Sequence, residues 1–446
     1  MARRPGAAGR RPARAGPPLG RPSALSAPDP ARLGPGFRRL LASSVTANVG
    51  DGVFVVALPL LAETLTRDPL LFAGVTVANR LPWLLFSLHA GAIADRFDRR
   101  RIMWVANAVR AAVVGGLGLA VLGDVDSIAL LYVVGLGLGV AETLFDNAAQ
   151  SFLPAVVPER EQLERANGHL MAGEIVSNQF LGPPLGGFLF GLGAAVPILL
   201  DAGTFAISAA LIASIGTAGV ARRATAPVDG ALPPARRPMR VEIAEGLRWL
   251  RAHRLLRGLA LLLGAMNGTS MMLWAVFPLY VVGEGSTLGL GAVGFGVLLT
   301  TSAVGSVVGS VVATRVVRRV GRGPALWAAL VAAIVVPIAI GLTSSVVAVG
   351  ALFAAYGLSG VLWNVVTVSL RQAIIPDELL GRVNSVYRFL GWGAMPLGSL
   401  AGGAVAAAVG VRSTFVIAGV LMALALLPFA GLIRTSTIEA ARDAAG

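Results

Sequence analysis

Five ionisable side chains lie inside long apolar stretches, where a charge is costly to bury and usually has a function: Asp51, Arg80, Arg110, Glu142 and Glu174. If each stretch is a helix, Asp51 and Arg80 lie at a similar depth, about 18 and about 16 Å from the same membrane surface. An ion pair between them would reduce the cost of burial, and Asp51 would be either a proton-sensitive switch or half of a static contact. Glu142 and Glu174 could carry a proton or a cation in a central cavity, or could pair with Arg110.

A second set of side chains has the chemistry of a ligand site. Arg388 precedes Trp392, and a guanidinium beside aromatic rings can hold an anionic or aromatic molecule. Asn267, Met271 and Trp274, on another stretch, would offer an adaptable surface to apolar ligands. The alternatives are that Arg388 extends its side chain to the membrane surface, and that the other side chains pack or face lipid.

The composition is that of a protein with many membrane spans. The chain has 446 residues, 55% of them hydrophobic and only 13% charged, and its mean hydropathy is +0.76. A soluble domain is about a quarter charged. There is no cysteine, and no group of residues has the spacing of a metal site, a catalytic triad or a phosphate-binding loop. We therefore expect no enzyme, no cofactor and no direct use of ATP; a membrane enzyme or sensor is the alternative from another class.

Apolar spans of roughly 20 residues, the length that crosses a bilayer, recur along the chain. We predict twelve of them, at 38–64, 71–94, 102–123, 127–152, 167–191, 195–219, 256–283, 289–314, 324–343, 346–371, 383–409 and 412–434. The predicted domains are a disordered Arg- and Pro-rich tail, a first bundle, a linker with an amphipathic helix, a second bundle and a short tail, at 1–37, 38–219, 220–255, 256–434 and 435–446.

The arginines divide the loops into two sets. The net charge is +14, and all 37 basic residues are arginines, concentrated in the first tail, the linker and every second loop. The loops of the other set hold only Arg67 and Arg412. Because cytoplasmic loops are enriched in arginine, both termini are predicted in the cytoplasm and the protein in a bacterial inner membrane. Charge that is distributed over many loops argues against a nucleic-acid partner. The expected partners are small molecules, protons and membrane lipids, and the protein is expected to be a monomer.

The two halves of the chain share sequence marks. Asn147 and Asn167 flank a proline, as do Asn364 and Asn384, and the Gly- and Pro-rich stretch 182–187 has a shorter counterpart in the second half. Duplication of a six-helix unit is typical of transporters whose substrate site lies between the halves. The predicted fold class is therefore an all-α polytopic membrane protein with twelve transmembrane helices in two pseudo-symmetric six-helix bundles.

The short loop 91–101 carries a specific pattern. It resembles the signature G-x-x-x-D-R-x-x-R-[RK] between helices 2 and 3 of the major facilitator superfamily, through Gly91, Asp95, Arg96, Arg99 and Arg100. The resemblance implies the fold named above and makes the loop a conformational latch on the cytoplasmic side. We expect Asp146 to contact the arginines of this loop.

A further resemblance concerns the fifth span. Gly182, Pro183, Gly186 and Gly187 are similar to the end of the helix 5 motif of drug–proton antiporters, although the upstream glycines of that motif are absent. The wider pattern resembles the efflux branch that contains macrolide and siderophore exporters. It implies proton-coupled efflux of drug-like molecules or secondary metabolites by alternating access. A siderophore exporter or an uptake symporter of the same fold is the alternative.

Overall fold

The computed structural model describes residues 33–157, 159–216, 239–283 and 285–443, and these are almost wholly helical. The first half contains α1 (Pro35–Leu65), α2 (Pro69–Arg96), α3 (Arg99–Leu122), α4 (Ile128–Val156), α5 (Arg160–Glu174), α6 (Gly182–Leu192) and α7 (Ala195–Ala213). A π-helical turn, Ile175–Leu181, joins α5 to α6. Most of the predicted tail 1–37 lies outside the described residues, and α1 begins within it at Pro35.

The second half has a similar series of helices. They are α8 (Met239–Ala252), α9 (Arg254–Trp274), α10 (Phe277–Val281), α11 (Ala292–Val320), α12 (Arg322–Leu342), α13 (Val346–Ile374), α14 (Asp377–Val409), α15 (Val411–Leu426) and α16 (Thr435–Asp443). A 3₁₀ helix, Leu427–Ile433, continues α15. The part of the predicted linker before α8 lies largely outside the described residues.

Twelve membrane crossings follow from these helices, as predicted. Ten helices in the described ranges are long and apolar enough to cross a membrane. The other two crossings are the α5–π–α6 run, whose first part is rich in charged residues, and α9, which contains Asn267, Thr269 and Ser270. Both runs are long enough to cross a membrane, but the polar side chains that they contain lower their mean hydropathy.

The helix contacts confirm the predicted duplication. In the first half α2 packs against α4, α3 against α7, and α1 against α6. The second half repeats these pairs as α11 with α13, α12 with α15, and α9 with α14. The protein is therefore built from two pseudo-symmetric bundles of six crossings.

Successive crossings bring the arginine-rich segments to one end of the molecule. This basic end holds the start of α1, the loop between α2 and α3, helix α8 and the loop between α11 and α12. The opposite end, here called the far end, holds the loops that follow α1, α3, α6 and α12. The two ends provide the frame in which the depth of each site residue is described.

Helix α8 occupies the stretch in which the sequence predicts an amphipathic helix on the membrane surface. Its apolar side packs on protein: Leu250 is buried and belongs to the core of the second bundle, with Leu255 and Leu256. Glu245 of α8 also accepts a hydrogen bond from Arg382 of α14 at 2.7 Å. The linker helix is therefore attached to the second bundle rather than resting on lipid alone.

The two bundles meet along two helix pairs, α2 with α14 and α6 with α11. Near the far end, a Cβ on Gly403 of α14 would lie 2.8 Å from the Pro69 carbonyl oxygen of α2, and a Cβ on Gly187 of α6 would overlap Ala292 of α11. Backbones approach this closely only where side chains are absent. These two contacts hold the halves together at the far end.

Candidate functional site

Arg110 of α3 is the centre of a buried charged cluster in the first bundle. Its residue surface is 7% exposed, and its guanidinium lies 3.7 Å from the Asp51 carboxylate of α1. The guanidinium also stacks on the Phe205 ring of α7, 4.4 Å from its centroid. Because a charge this deep needs compensation, the pair and the ring together stabilise the arginine.

Several carboxylates surround this arginine. Those whose charges act on Arg110 are Asp51, Glu142, Asp146 and Asp201. The Asp201 side chain is fully buried in α7, and Thr204 donates a hydrogen bond of 3.4 Å to its Oδ1. The cluster thus holds more acids than bases, and Arg110 is shared among them.

Asp201 is not among the candidate residues named from the sequence. The signal was nevertheless present, because Asp201 is an acidic residue within a predicted apolar span, as Asp51 is. In the structure, Asp201 Oδ2 and Arg110 Nε are buried without a hydrogen-bond partner among the described residues. Two unpaired polar atoms in one buried cluster are unusual, and they make the cluster a candidate functional site.

Small polar residues position the helices around this cluster. Ser43 of α1 and Ser208 of α7 share a hydrogen bond of 2.7 Å, and Asn107 of α3 donates to the Ser208 hydroxyl at 2.8 Å. All three residues are buried. Hydrogen bonds between buried side chains fix the mutual position of α1, α3 and α7, and therefore of the charges that these helices carry.

The structure corrects the predicted partner of Asp51. Asp51 pairs with Arg110 and not with Arg80. The two residues share a depth, but α1 packs chiefly against α7 and α6, whereas α2 packs against α4 and α14. Arg80 is half-buried on α2. Depth can be read from the sequence, but the direction in which each helix faces cannot.

Asp146 is also placed differently from the prediction. The charges that act on it are those of Glu142, Arg110, Asp51 and Glu174. It lies about 15 Å from the end of α4 by helical rise, too deep for the loop at the basic end. Glu174 ends α5 next to the π turn, and its side chain is exposed.

The latch arginines bind the ends of neighbouring helices. Arg99 donates to the Ser151 carbonyl of α4 at 3.1 Å, and Arg100 to the Ile215 carbonyl just after α7 at 2.5 Å. Arginine near the carboxyl end of a helix can bind carbonyl oxygens there and interacts favourably with the helix dipole. Arg96 is exposed at the end of α2. Gly91 and Asp95 lie on α2, and the surroundings of both residues are outside the described part of the structure.

The helix 5 motif packs against two helices. Its members Gly182, Pro183, Gly186 and Gly187 are all buried. Gly182 lies against the backbone of α1, where Gly52 provides the space, and Gly187 lies against α11. The motif therefore places α6 between the first bundle and the second.

A cavity of about 140 Å³ lies between the bundles. Its lining comes from α2, α4 and α14, and comprises Trp83, Leu84, Asn147, Ser385, Arg388, Phe389, Trp392 and Gly393. The Arg388 guanidinium lies 5.1 Å from the centroid of the Trp392 ring, one turn closer to the far end. Arg388 and Trp392 are therefore in contact on the wall of the cavity.

The predicted ligand residues on α9 do not join this cavity. Asn267 donates a hydrogen bond of 2.9 Å to the Gly391 carbonyl of α14. Trp274 packs against Phe277 and Phe353 in the aromatic core of the second bundle. Met271 is half-buried on the same helix. These side chains join α9 to its neighbours, whereas Arg388 and Trp392 line the cavity.

Two repeated six-crossing bundles, with buried charges in one and a cavity between them, are the architecture of a major facilitator transporter. The chain belongs to the transmembrane secretion effector family, MFS_3, which matches residues 29–444. This membership places the protein among membrane transporters rather than enzymes.

Two similar proteins are multidrug efflux pumps called Tap. The Tap pump of Mycolicibacterium fortuitum is 29% identical over 392 residues, which are 84% of this chain and 90% of that protein. The Tap pump of Mycobacterium tuberculosis (strain ATCC 25618 / H37Rv) is 30% identical over 398 residues, which are 86% of this chain and 89% of that protein.

Solved transporters share the fold. An inward-facing, unoccupied bacterial homologue of the human lysosomal transporter Spinster has a TM-score of 0.66 and 15% identity, covering 91% of this chain and 98% of that chain. The nucleoside transporter NupG has a TM-score of 0.69 and 12% identity, covering 90% of this chain and all of that chain. At these identities the similarity concerns the fold alone.

Proposed function

We propose that this protein exports small molecules across the bacterial inner membrane, in exchange for protons, by alternating access. The observation that carries the proposal is the separation of two sites. Buried carboxylates gather around Arg110 inside the first bundle, while a cavity with a different chemistry lies between the bundles. One site suits protons and the other suits an organic molecule.

The arginines support an orientation with the basic end in the cytoplasm. The bundles touch near the far end, and Trp83 meets Trp392 edge-on with ring centroids 4.5 Å apart. Phe389, one turn nearer the basic end, is 57% exposed although it lines the cavity. This arrangement favours a cavity that is closed towards the outside and reached from the cytoplasm, as an exporter requires before it loads its substrate.

The coupling step would be an exchange of partners at Arg110. The Asp51 side chain is 31% exposed and is the accessible member of the pair. A proton that binds Asp51 removes its charge and weakens its hold on Arg110. The arginine would then be held more strongly by Asp201 on α7, and the relative positions of α1 and α7 would change. Release of that proton towards the cytoplasm restores the first pairing.

The names of the relatives support the direction of transport. Both Tap proteins are described as multidrug efflux pumps, and each aligns with more than four-fifths of this chain. We therefore expect efflux of several unrelated compounds, and uptake by a symporter is the alternative that the experiment must distinguish from it.

The decisive experiment measures dye accumulation in inside-out vesicles with an imposed proton gradient. Accumulation that stops when the gradient is collapsed supports proton-driven export. Asp51→Asn should abolish this dependence. Asp124→Asn is a matched control, because Asp124 lies in an exposed loop at φ 53°, a conformation that asparagine adopts readily. Movement of dye in the opposite direction, or transport by Asp51→Asn with an unchanged dependence on the gradient, would contradict the proposal.

A further inference from the structure

The cavity between the bundles is lined by hydrogen-bond donors and aromatic rings, with no carboxylate among its lining residues. Arg388 supplies a guanidinium, which can only donate hydrogen bonds. A ligand that accepts hydrogen bonds would therefore be stabilised at this position.

Arg388 has the properties of a ligand-binding cation. No carboxylate in the described part of the chain forms an ion pair with it. One face of its guanidinium stacks on Trp392, and this stacking leaves the N–H groups at its edge available for a ligand. The acids of the first bundle act on Arg110 instead. Within the described ranges, therefore, no acid neutralises the positive charge of the cavity.

The aromatic side chains define the shape of the ligand. Trp392 meets Trp83 across the boundary between the two bundles, and Phe389 lies on the same wall. Flat rings pack well against such a wall. A volume of about 140 Å³ is small beside the 300–1,000 Å³ of pockets that enclose a drug-sized ligand. The cavity would therefore hold one ring and the polar group of an aromatic ligand whose remainder extends out of the cavity.

We propose that this cavity selects aromatic anions, namely aromatic carboxylates and phenolates. The anionic oxygen would accept hydrogen bonds from Arg388, while the ring packs against Trp392. This inference rests on the proposed function, because it takes the cavity as the substrate site of the transporter. The inference adds two things that the fold does not define: the chemical class of the substrate and the sign of its charge.

The test compares two dyes that share a ring system but differ in charge. Fluorescein is anionic at pH 8, and rhodamine 123 is cationic. Their binding to the purified full-length protein is measured by fluorescence anisotropy, which does not require transport. We expect fluorescein to bind at least tenfold more tightly, and Arg388→Gln to weaken it by about tenfold, the loss of one charge-assisted hydrogen bond. Arg388→Lys should retain part of the affinity.

Arg434→Gln is the control, because Arg434 is an exposed arginine at the basic end, far from the cavity. It should bind both dyes like the unchanged protein. Equal affinity for the two dyes would overturn the inference, as would unchanged fluorescein binding in Arg388→Gln. A monodisperse elution profile excludes misfolding as the cause of any loss.

Vesicle transport of the same dyes separates this inference from the proposed function. If fluorescein binds as expected but no proton gradient moves it, the proposal of export is contradicted and the proposed ligand class is supported. If a proton gradient moves rhodamine 123 but the protein does not bind fluorescein, the proposal of export is supported and the proposed ligand class is contradicted.

Discussion

Gly50 of α1 lies directly against Asp201 of α7, so that a Cβ at this glycine would overlap the Asp201 carboxylate and the Thr204 hydroxyl. The absence of a side chain at Gly50 is therefore what allows a buried acid to sit between two helices beside Arg110. The cluster depends on a glycine as much as on its charged members.

This contact predicts that Gly50→Ala is destabilising. Overpacking of a close contact costs about 1–3 kcal/mol, more than the helix propensity that alanine adds. Thermal unfolding in detergent measures the change. Gly116→Ala is the control, since nothing lies within 4 Å of the position that its Cβ would take, and it should be neutral or slightly stabilising. Equal stability of the two variants would show that α1 and α7 can separate at no cost.

The charged cluster predicts a strong interaction between Arg110 and Asp51. Arg110→Gln leaves buried carboxylates without their counter-charge, and we expect a loss of about 3–5 kcal/mol. Adding Asp51→Asn removes one of these unpaired charges and should restore part of the stability. A double-mutant cycle from unfolding curves gives the interaction energy. If the loss of stability in the double variant equals the sum of the losses in the two single variants to within about 0.5 kcal/mol, the ion pair contributes nothing.

The latch predicts a defect in transport without a defect in insertion. Asp95→Asn should reduce dye efflux strongly, while the amount of protein in the membrane stays the same. Asp98→Asn, three residues further on, is the matched control. Asp98 caps α3 by accepting a hydrogen bond from the Arg101 N–H at 2.8 Å, and asparagine caps a helix equally well. Full efflux by Asp95→Asn would remove this residue from the latch.

His253 predicts a loss of stability at acidic pH. Its Nδ1 accepts a hydrogen bond from the Leu256 N–H and so caps α9, while burial lowers the pKa of His253 from its usual 6.5. Because the folded protein prefers the neutral ring, the cap contributes about 1 kcal/mol above pH 6.5. That contribution is lost as pH falls through the lowered pKa. Unfolding temperatures measured from about pH 5 to about pH 8, a range that spans the titration of histidine, would give the size of this loss.

His253→Asn separates the cap from its titration. Asparagine keeps a side-chain acceptor for the first turn of α9 but does not titrate. Its stability should match that of the unchanged protein at neutral pH and should vary less on acidification. The same acid-induced loss in His253→Asn would assign the pH dependence to another group.

The sequence predicted the crossings well, because apolar length and arginine placement are properties of each segment by itself. It also predicted that buried charges would be important. It paired Asp51 with the wrong arginine, since two residues at one depth meet only if their helices face each other, and α1 faces α7 rather than α2. Asp201 could have been selected by the rule that selected Asp51. Trp274 and Trp392 look alike in sequence, and only the packing separates a core residue from a cavity residue.

The π turn at Ile175–Leu181 alters the spacing of contacts along one helix face. The face that this run turns towards α1 passes through Gly173, Asn178, Gly182 and Gly186. The first step is five residues and the later steps are four, because a π turn contains about one residue more than an α turn. In an alignment of helices the turn counts as one extra residue that leaves the contact face in phase. A relative without that residue would form an uninterrupted α-helix with the same face, and a correct alignment would place a gap there.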